Sequence, residues 1–85
     1  MPRSTHSEAY ERLRDALVAA RDRAGVTQVA LAERLGKPQS FVSKFENRER
    51  RLDLIEVLAV LRALGIDEVR FLTDLVRDLP AELRI

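Results

Sequence analysis

The sequence predicts an all-α fold of five helices, and three features predict it. Apolar residues recur three and four positions apart along the chain. Nowhere do apolar and polar residues alternate in the pattern of a strand. Breaks at Gly25, at Gly36 to Pro38, across residues 47–52 and at Gly65 divide the chain into five segments. With 85 residues, 46% apolar and 34% charged, one small domain with one modest core is the expected organisation.

Each segment carries its own start and stop. The first helix has Thr5 or Ser7 as cap, with Thr5 and Glu8 spaced as a capping box, and turns Tyr10, Leu13, Leu17, Ala20 and Ala24 inward before Gly25. Residues 1–6 (MPRSTH) are expected to be a disordered N-terminal tail. The second helix takes Thr27 as N-cap, staples Val26 to Leu31, and closes on Gly36 as a left-handed cap. The third is short and polar, from Gln39 to Glu46, with Pro38 pre-set for its start and Asn47, tolerant of the left-handed region, at its end. Asp53 and Glu56 open the fourth helix as a D-x-x-E capping box. Its residues from Leu54 to Leu64 are apolar nearly all round, which predicts a central, buried helix. Asp67 caps the fifth, Ile66 and Phe71 staple it, and Pro80 stops it after Leu79. The expected domain is 7–79, with 80–85 as a short tail available for a dimer contact.

Composition excludes several function classes. There is no cysteine, so disulfides and thiolate metal sites are absent, and the single histidine, His6, cannot build a metal cluster alone. No apolar stretch approaches the roughly 18 residues that would span a bilayer, and the N-terminus lacks an apolar signal core, so the chain reads as cytoplasmic with no membrane partner. Three glycines fall in no phosphate-cradling pattern, and one Tyr and one His offer few groups for catalysis. The reading is a protein without cofactor or metal that is not an enzyme.

Net charge is only +1, but its distribution is uneven. Residues 1–33 balance five Arg against five acids. Residues 34–51 hold Arg34, Lys37, Lys44, Arg48, Arg50 and Arg51 against Glu46 and Glu49, for +4, and residues 52–85 come to −3. A basic centre with an acidic end is the pattern of a patch that faces a polyanion.

The second and third helices are separated by about three residues around Gly36, which forces a sharp helix-turn-helix. Leu31 and Leu35 point to the core, Ala32 is small where the helices cross, Gly36 takes the turn, and Val42 and Phe45 pack back. On these residues the run TQVALAERLGKPQSFVSKFENRERRLD resembles the Cro/CI-type, or XRE-type, helix-turn-helix proteins related to lambda-like phage repressors, over roughly residues 9–79. The resemblance implies a five-helix, lambda-repressor-like DNA-binding domain that reads duplex DNA in the major groove and acts as a dimer on palindromic sites.

It also implies roles for residues. Gln28 matches a glutamine that contacts a phosphate and braces a second glutamine, here Gln39. At the start of the recognition helix, Gln39 would pair with an adenine edge, a contact worth about 1 to 3 kcal/mol of discrimination. Ser40, Ser43 and Lys44 share the outward face with Gln39 by helical period, with Val42 and Phe45 inward. The serines match base-edge or phosphate positions, and Lys44 is left with two targets, a guanine or a phosphate. Phe41 has two open placements, against a thymine methyl or folded onto the second helix. Asn47, Arg48, Arg50 and Arg51 are expected on phosphates. About four neutralised phosphates per monomer would give a dimer a log–log salt slope near −7. Arg21 and Glu46 match positions that form an ion pair between the first and third helices, expected to be partly exposed and to orient rather than stabilise.

Two residues depart from the family pattern. Lys37 stands where the turn usually continues with an apolar residue, and Arg48 stands where glycine is common. Arg48 therefore implies either a different turn or a strained one. The leading reading is a sequence-specific transcriptional regulator, most simply a dimeric repressor. A seam through Phe71, Leu75, Leu79 and Leu83 is predicted, next to a stripe of Leu72 and Val76. The alternative is a protein-interaction module, antitoxin-like or polymerase-binding, with secondary DNA binding.

Overall fold

Most of the helices are started by the side chain just before them and stopped by one recurring backbone geometry. The computed structural model describes residues 7–84 and contains α1 (Glu8–Arg23), α2 (Gln28–Leu35), α3 (Gln39–Glu46), α4 (Leu54–Ala63) and α5 (Glu68–Asp78), with no strand among the described residues. Thr27 accepts the Ala30 amide at 3.0 Å. Asp53 accepts the Glu56 amide at 2.7 Å while the Glu56 carboxylate accepts the Asp53 amide at 2.9 Å, a complete capping box. Asp67 accepts from Val69 and Arg70. Ser7 caps α1 by accepting the Tyr10 amide, so the expected box of Thr5 with Glu8 is not the cap: Glu8 is the first helical residue, and Thr5 lies with the 1–6 tail outside the described residues. Only α3 starts without a side-chain cap, behind Pro38.

The stops share two hydrogen bonds in the Schellman pattern. After α2, the Gly36 amide donates to Glu33 and the Lys37 amide to Ala32, with Gly36 at φ +69. The same pair of bonds closes α1 through Gly25 and Val26, and α4 through Gly65 and Ile66. After α3 they come from Arg48 to Phe45 and from Glu49 to Lys44. The left-handed residue there is Arg48 at φ +68; Asn47, expected near that conformation, sits at φ −94.

The core draws on the first four helices. Leu17, Leu31, Val42, Phe45, Val60 and Leu61 are its largest sealed side chains, with Leu13, Leu35, Ile66 and Phe71 packed against them. Two expectations fail at its edges. Ala24 is exposed, because it is the C-cap of α1 and the helix ends before it turns inward. The apolar character of α4 does not make it buried all round: Val57, Val60, Leu61 and Leu64 close one face, while Leu54 and Ile55 remain 63% and 70% exposed because no described element covers the helix's opening turn. α5 is the most amphipathic helix and has no buried residue. Among the described residues no helix is long and apolar enough to cross a membrane.

Side chains of α1 and α2 bind the ends of other helices. Arg14 donates to the Glu46 carbonyl at the end of α3, Arg34 to the Ala63 carbonyl ending α4, and Arg12 to the Asp78 carbonyl ending α5. Each places a cation on the negative end of a helix. The loop between α3 and α4 is held by buried Tyr10, whose hydroxyl accepts the Leu52 amide at 3.1 Å and whose ring lies 4.5 Å under the Arg51 guanidinium. Tyr10→Phe strands that buried amide, so a loss of about 1 to 3 kcal/mol and a fall of roughly 5 to 15 °C in melting midpoint are expected. An unchanged midpoint by circular dichroism would mean that the Leu52 amide has another acceptor.

Candidate nucleic-acid interface

The candidate interface is built on α3. Its inner face, Val42 and Phe45, is sealed into the core, and its outer face leaves Gln39, Ser40 and Lys44 exposed with Ser43 half-buried. Eight residues of helix carry little stability of their own, so the orientation of α3 must come from its neighbours.

The strongest of those attachments is at its last residue. Glu46 is 7% exposed, and its carboxylate takes Arg21 Nε at 2.6 Å and Nη2 at 2.9 Å in a bidentate pair. The third nitrogen of Arg21 donates to the Val26 carbonyl at 2.8 Å, so one guanidinium fastens α1, the α1–α2 turn and α3 together. Glu46 raises the Arg21 pKa further above its ordinary value. Glu46 is buried and Arg21 is partly so, which adds a stability role to the orienting one expected of a partly exposed pair. Loss of the pair is therefore a stability event.

The network continues to the front of α3. Gln28 Nε2 donates to Glu46 Oε1 at 2.8 Å, which turns the Gln28 carbonyl oxygen toward Gln39, whose Nε2 lies 3.5 Å away. An amide NH2 has two protons. Gln39 therefore keeps one amide proton and its carbonyl oxygen on the outer face while the other proton faces Gln28. Gln28 itself is committed inward more than the phosphate role implied.

The basic stretch is largely answered within the fold. Arg50 forms a bidentate pair with Glu56 at 3.0 and 2.8 Å, and that hydrogen-bonded pairing holds the Glu56 carboxyl below its ordinary value, so both stay charged and mutually neutralised near neutral pH. Arg51 stacks on Tyr10, and Arg48 meets Glu11 of α1 at 2.8 Å. Asn47 reaches the Ser43 hydroxyl at 3.4 Å. Within the chain Arg50 and Arg51 thus brace the α3–α4 loop, a role that their expected place on phosphates did not include. Of the two placements open to Phe41, the inward one is found: its half-buried ring packs edge-on to Phe45, 6.0 Å between centroids, with the Arg50 guanidinium 4.7 Å and the Lys37 ammonium 5.5 Å from its own centroid. It lies beside Leu35, Glu56 and Ala59, away from the outer face of α3. Its cation–π contact with Phe41 gives Lys37 a place where an apolar residue is usual.

Sequence reasoning missed Glu11, Arg14 and Tyr10 as parts of the site. Arg14 precedes Arg21 by seven residues, two helical turns on one face, and that spacing was the available signal.

A family model described as helix-turn-helix matches residues 17–71. A solved XRE-family like protein from Pseudomonas syringae pv. tomato str. DC3000 is 51% identical over 85% of this chain and 88% of its own, with a TM-score of 0.80. The chain belongs to the XRE family of helix-turn-helix proteins. That XRE membership makes it a DNA-binding transcription regulator in kind. The restriction-modification controller protein C.Esp1396I, solved as a tetramer in complex with its natural 35 base-pair operator, has the same fold at 21% identity, TM-score 0.76, over 85% of this chain and 95% of its own. The clp gene regulator ClgR from C. glutamicum follows at 25% identity, TM-score 0.69, over 85% and 92%. Among curated proteins there is no significant match.

In this XRE-family domain, Arg21→Ala leaves the Glu46 carboxylate buried with one neutral side-chain donor, and a loss of about 3 to 5 kcal/mol is expected in chemical denaturation. The double variant Arg21→Met, Glu46→Leu should recover most of it. A small loss in the single variant would show that water reaches Glu46 easily.

Proposed function

We propose that this protein is a dimeric repressor that occupies a palindromic operator by seating α3 of each copy in the major groove. The observation that supports the reading is the relay from Arg21 through Glu46 and Gln28, which brings the Gln28 carbonyl oxygen to 3.5 Å from the Gln39 amide at the front of the outer face of α3. Gln39, Ser40 and Ser43 face bases, while Lys44, Asn47 and Arg48 lie at the end of α3 suited to phosphate. The DNA-bound controller of the same fold supports the target class. A place of action in the cytoplasm follows from a DNA target.

With Arg50 and Arg51 engaged within the fold, about two phosphates per copy remain, and a dimer's log–log salt slope near −4 replaces the steeper value of the charge count. Selection of duplexes from a random pool at physiological salt tests the reading. The expected product is a palindrome containing adenines, and Gln39→Ala should lose the preference at those adenines by roughly 5- to 150-fold, the equivalent of about 1 to 3 kcal/mol. No enriched sequence would leave the chain as a protein-binding module, a reading that the exposed Leu54 and Ile55 favour.

The dimer seam is proposed along α5 and residues 80–84. Leu72, Leu75 and Leu79 are half-buried, and Val69, Val76 and Leu83 are exposed, so an apolar face lies open on the helix least involved in its own core. Phe71 contributes less than the sequence suggested, because it packs onto the core of its own copy. Val76→Asp changes a side chain that is 64% exposed, so it should leave the melting transition nearly unchanged while sedimentation shifts to monomer mass. A dimer that survives it would move the seam off α5.

A further inference from the structure

Four helices end in the same pair of hydrogen bonds, and the left-handed residue in that motif is glycine three times and Arg48 once. Among the described residues Arg48 is the only non-glycine with positive φ. An L side chain is disfavoured in that region, and glycine is the residue that relieves the cost. Nothing in local folding asks for arginine there. The side chain, in contrast, is specifically placed: it stays 51% exposed at the end of the recognition helix, and its Nε is held by the Glu11 carboxylate at 2.8 Å across the α1–α3 junction. The same stretch of α1 supplies Arg14, which binds the Glu46 carbonyl at the end of α3. Strain kept at one residue, with a charged group anchored at a stated position, is the mark of a functional requirement.

We infer that Glu11 is a positioning residue for the phosphate contact proposed for Arg48: its carboxylate sets the guanidinium that the strained backbone at Arg48 carries to the end of α3. The inference rests on the DNA-binding reading above and extends it to α1. The guanidinium has five N–H donors, so the Nε held by Glu11 leaves the terminal nitrogens for a phosphate. The backbone twist that Arg48 supplies is the one glycine would supply, which makes Arg48→Gly a substitution that removes the side chain and keeps the turn.

The decisive experiment measures operator affinity against salt, together with melting, for the full chain and the variants Arg48→Gly, Arg48→Lys and Glu11→Gln. Arg48→Gly should melt at the same temperature or up to about 5 °C higher. It should bind operator at least 10-fold more weakly, and its salt slope should fall by about 0.9 per copy. Arg48→Lys should keep the slope and lose part of the affinity, because a point charge replaces the fork. Glu11→Gln removes a negative charge near the DNA, so electrostatics alone predicts tighter binding; a positioning role predicts weaker binding, by about 3- to 10-fold, with the slope unchanged. Wild-type affinity and slope in Arg48→Gly would overturn the inference and leave the DNA-binding reading standing. So would a fall of several degrees in its melting point, which would make the Glu11 pair structural cement, or tighter binding by Glu11→Gln. Failure of the unaltered chain to bind any duplex would take down the reading and the inference together.

Discussion

The buried carboxylate of Glu46 is the constraint on which the interface depends. It ends a helix of eight residues that has no side-chain cap at its start, and so it decides where that helix points. A carboxylate taken out of water is costly unless it is met by donors from all sides. Here those donors come from Arg21 on α1 and Gln28 at the start of α2, so satisfying one charge joins three helices. The geometry is demanding: a slip of α3 by even part of a turn would remove the bidentate match. Orientation and stability are therefore secured by the same group, which adds stability to the orienting role expected of a partly exposed pair.

Charge on this domain is divided between two tasks. The basic stretch gives the impression of a broad electropositive surface, but Arg50 is spent on Glu56 and Phe41, and Arg51 on Tyr10. These contacts hold the loop between α3 and α4 in place. What is left for a polyanion is narrower and tied more closely to the recognition helix.

Much of the fold was legible because its signals are local. Thr27, Asp53 and Asp67 cap the helices they precede, and Gly25, Gly36 and Gly65 stop those they follow; each acts within a few residues of itself. The packing of Leu31, Ala32, Val42 and Phe45 followed from helical period. Side chains whose partners lie far along the chain were harder. Nothing in the run from Asn47 to Arg51 indicates which arginine will meet Glu11, which Glu56 and which Tyr10, because that depends on the path of the loop. The exposed opening turn of α4 is not legible for a related reason: hydropathy states what a helix is able to bury, and only the neighbouring elements determine what it does bury. Phe41 had two placements from the sequence, and the cations at Lys37 and Arg50 account for the inward one.

The three arginines that reach the terminal carbonyls of α3, α4 and α5 have a consequence for motion. Helix ends are ordinarily where a small domain loosens first, each fraying by itself at little cost. When the last turn of one helix is tied to the side of another, it cannot unwind without giving up a contact outside itself. Local breathing at these ends then costs a contact with another helix as well as the turn itself. A reader of DNA built this way meets its target with its recognition surface already formed, and little ordering is left to be done when the two come together.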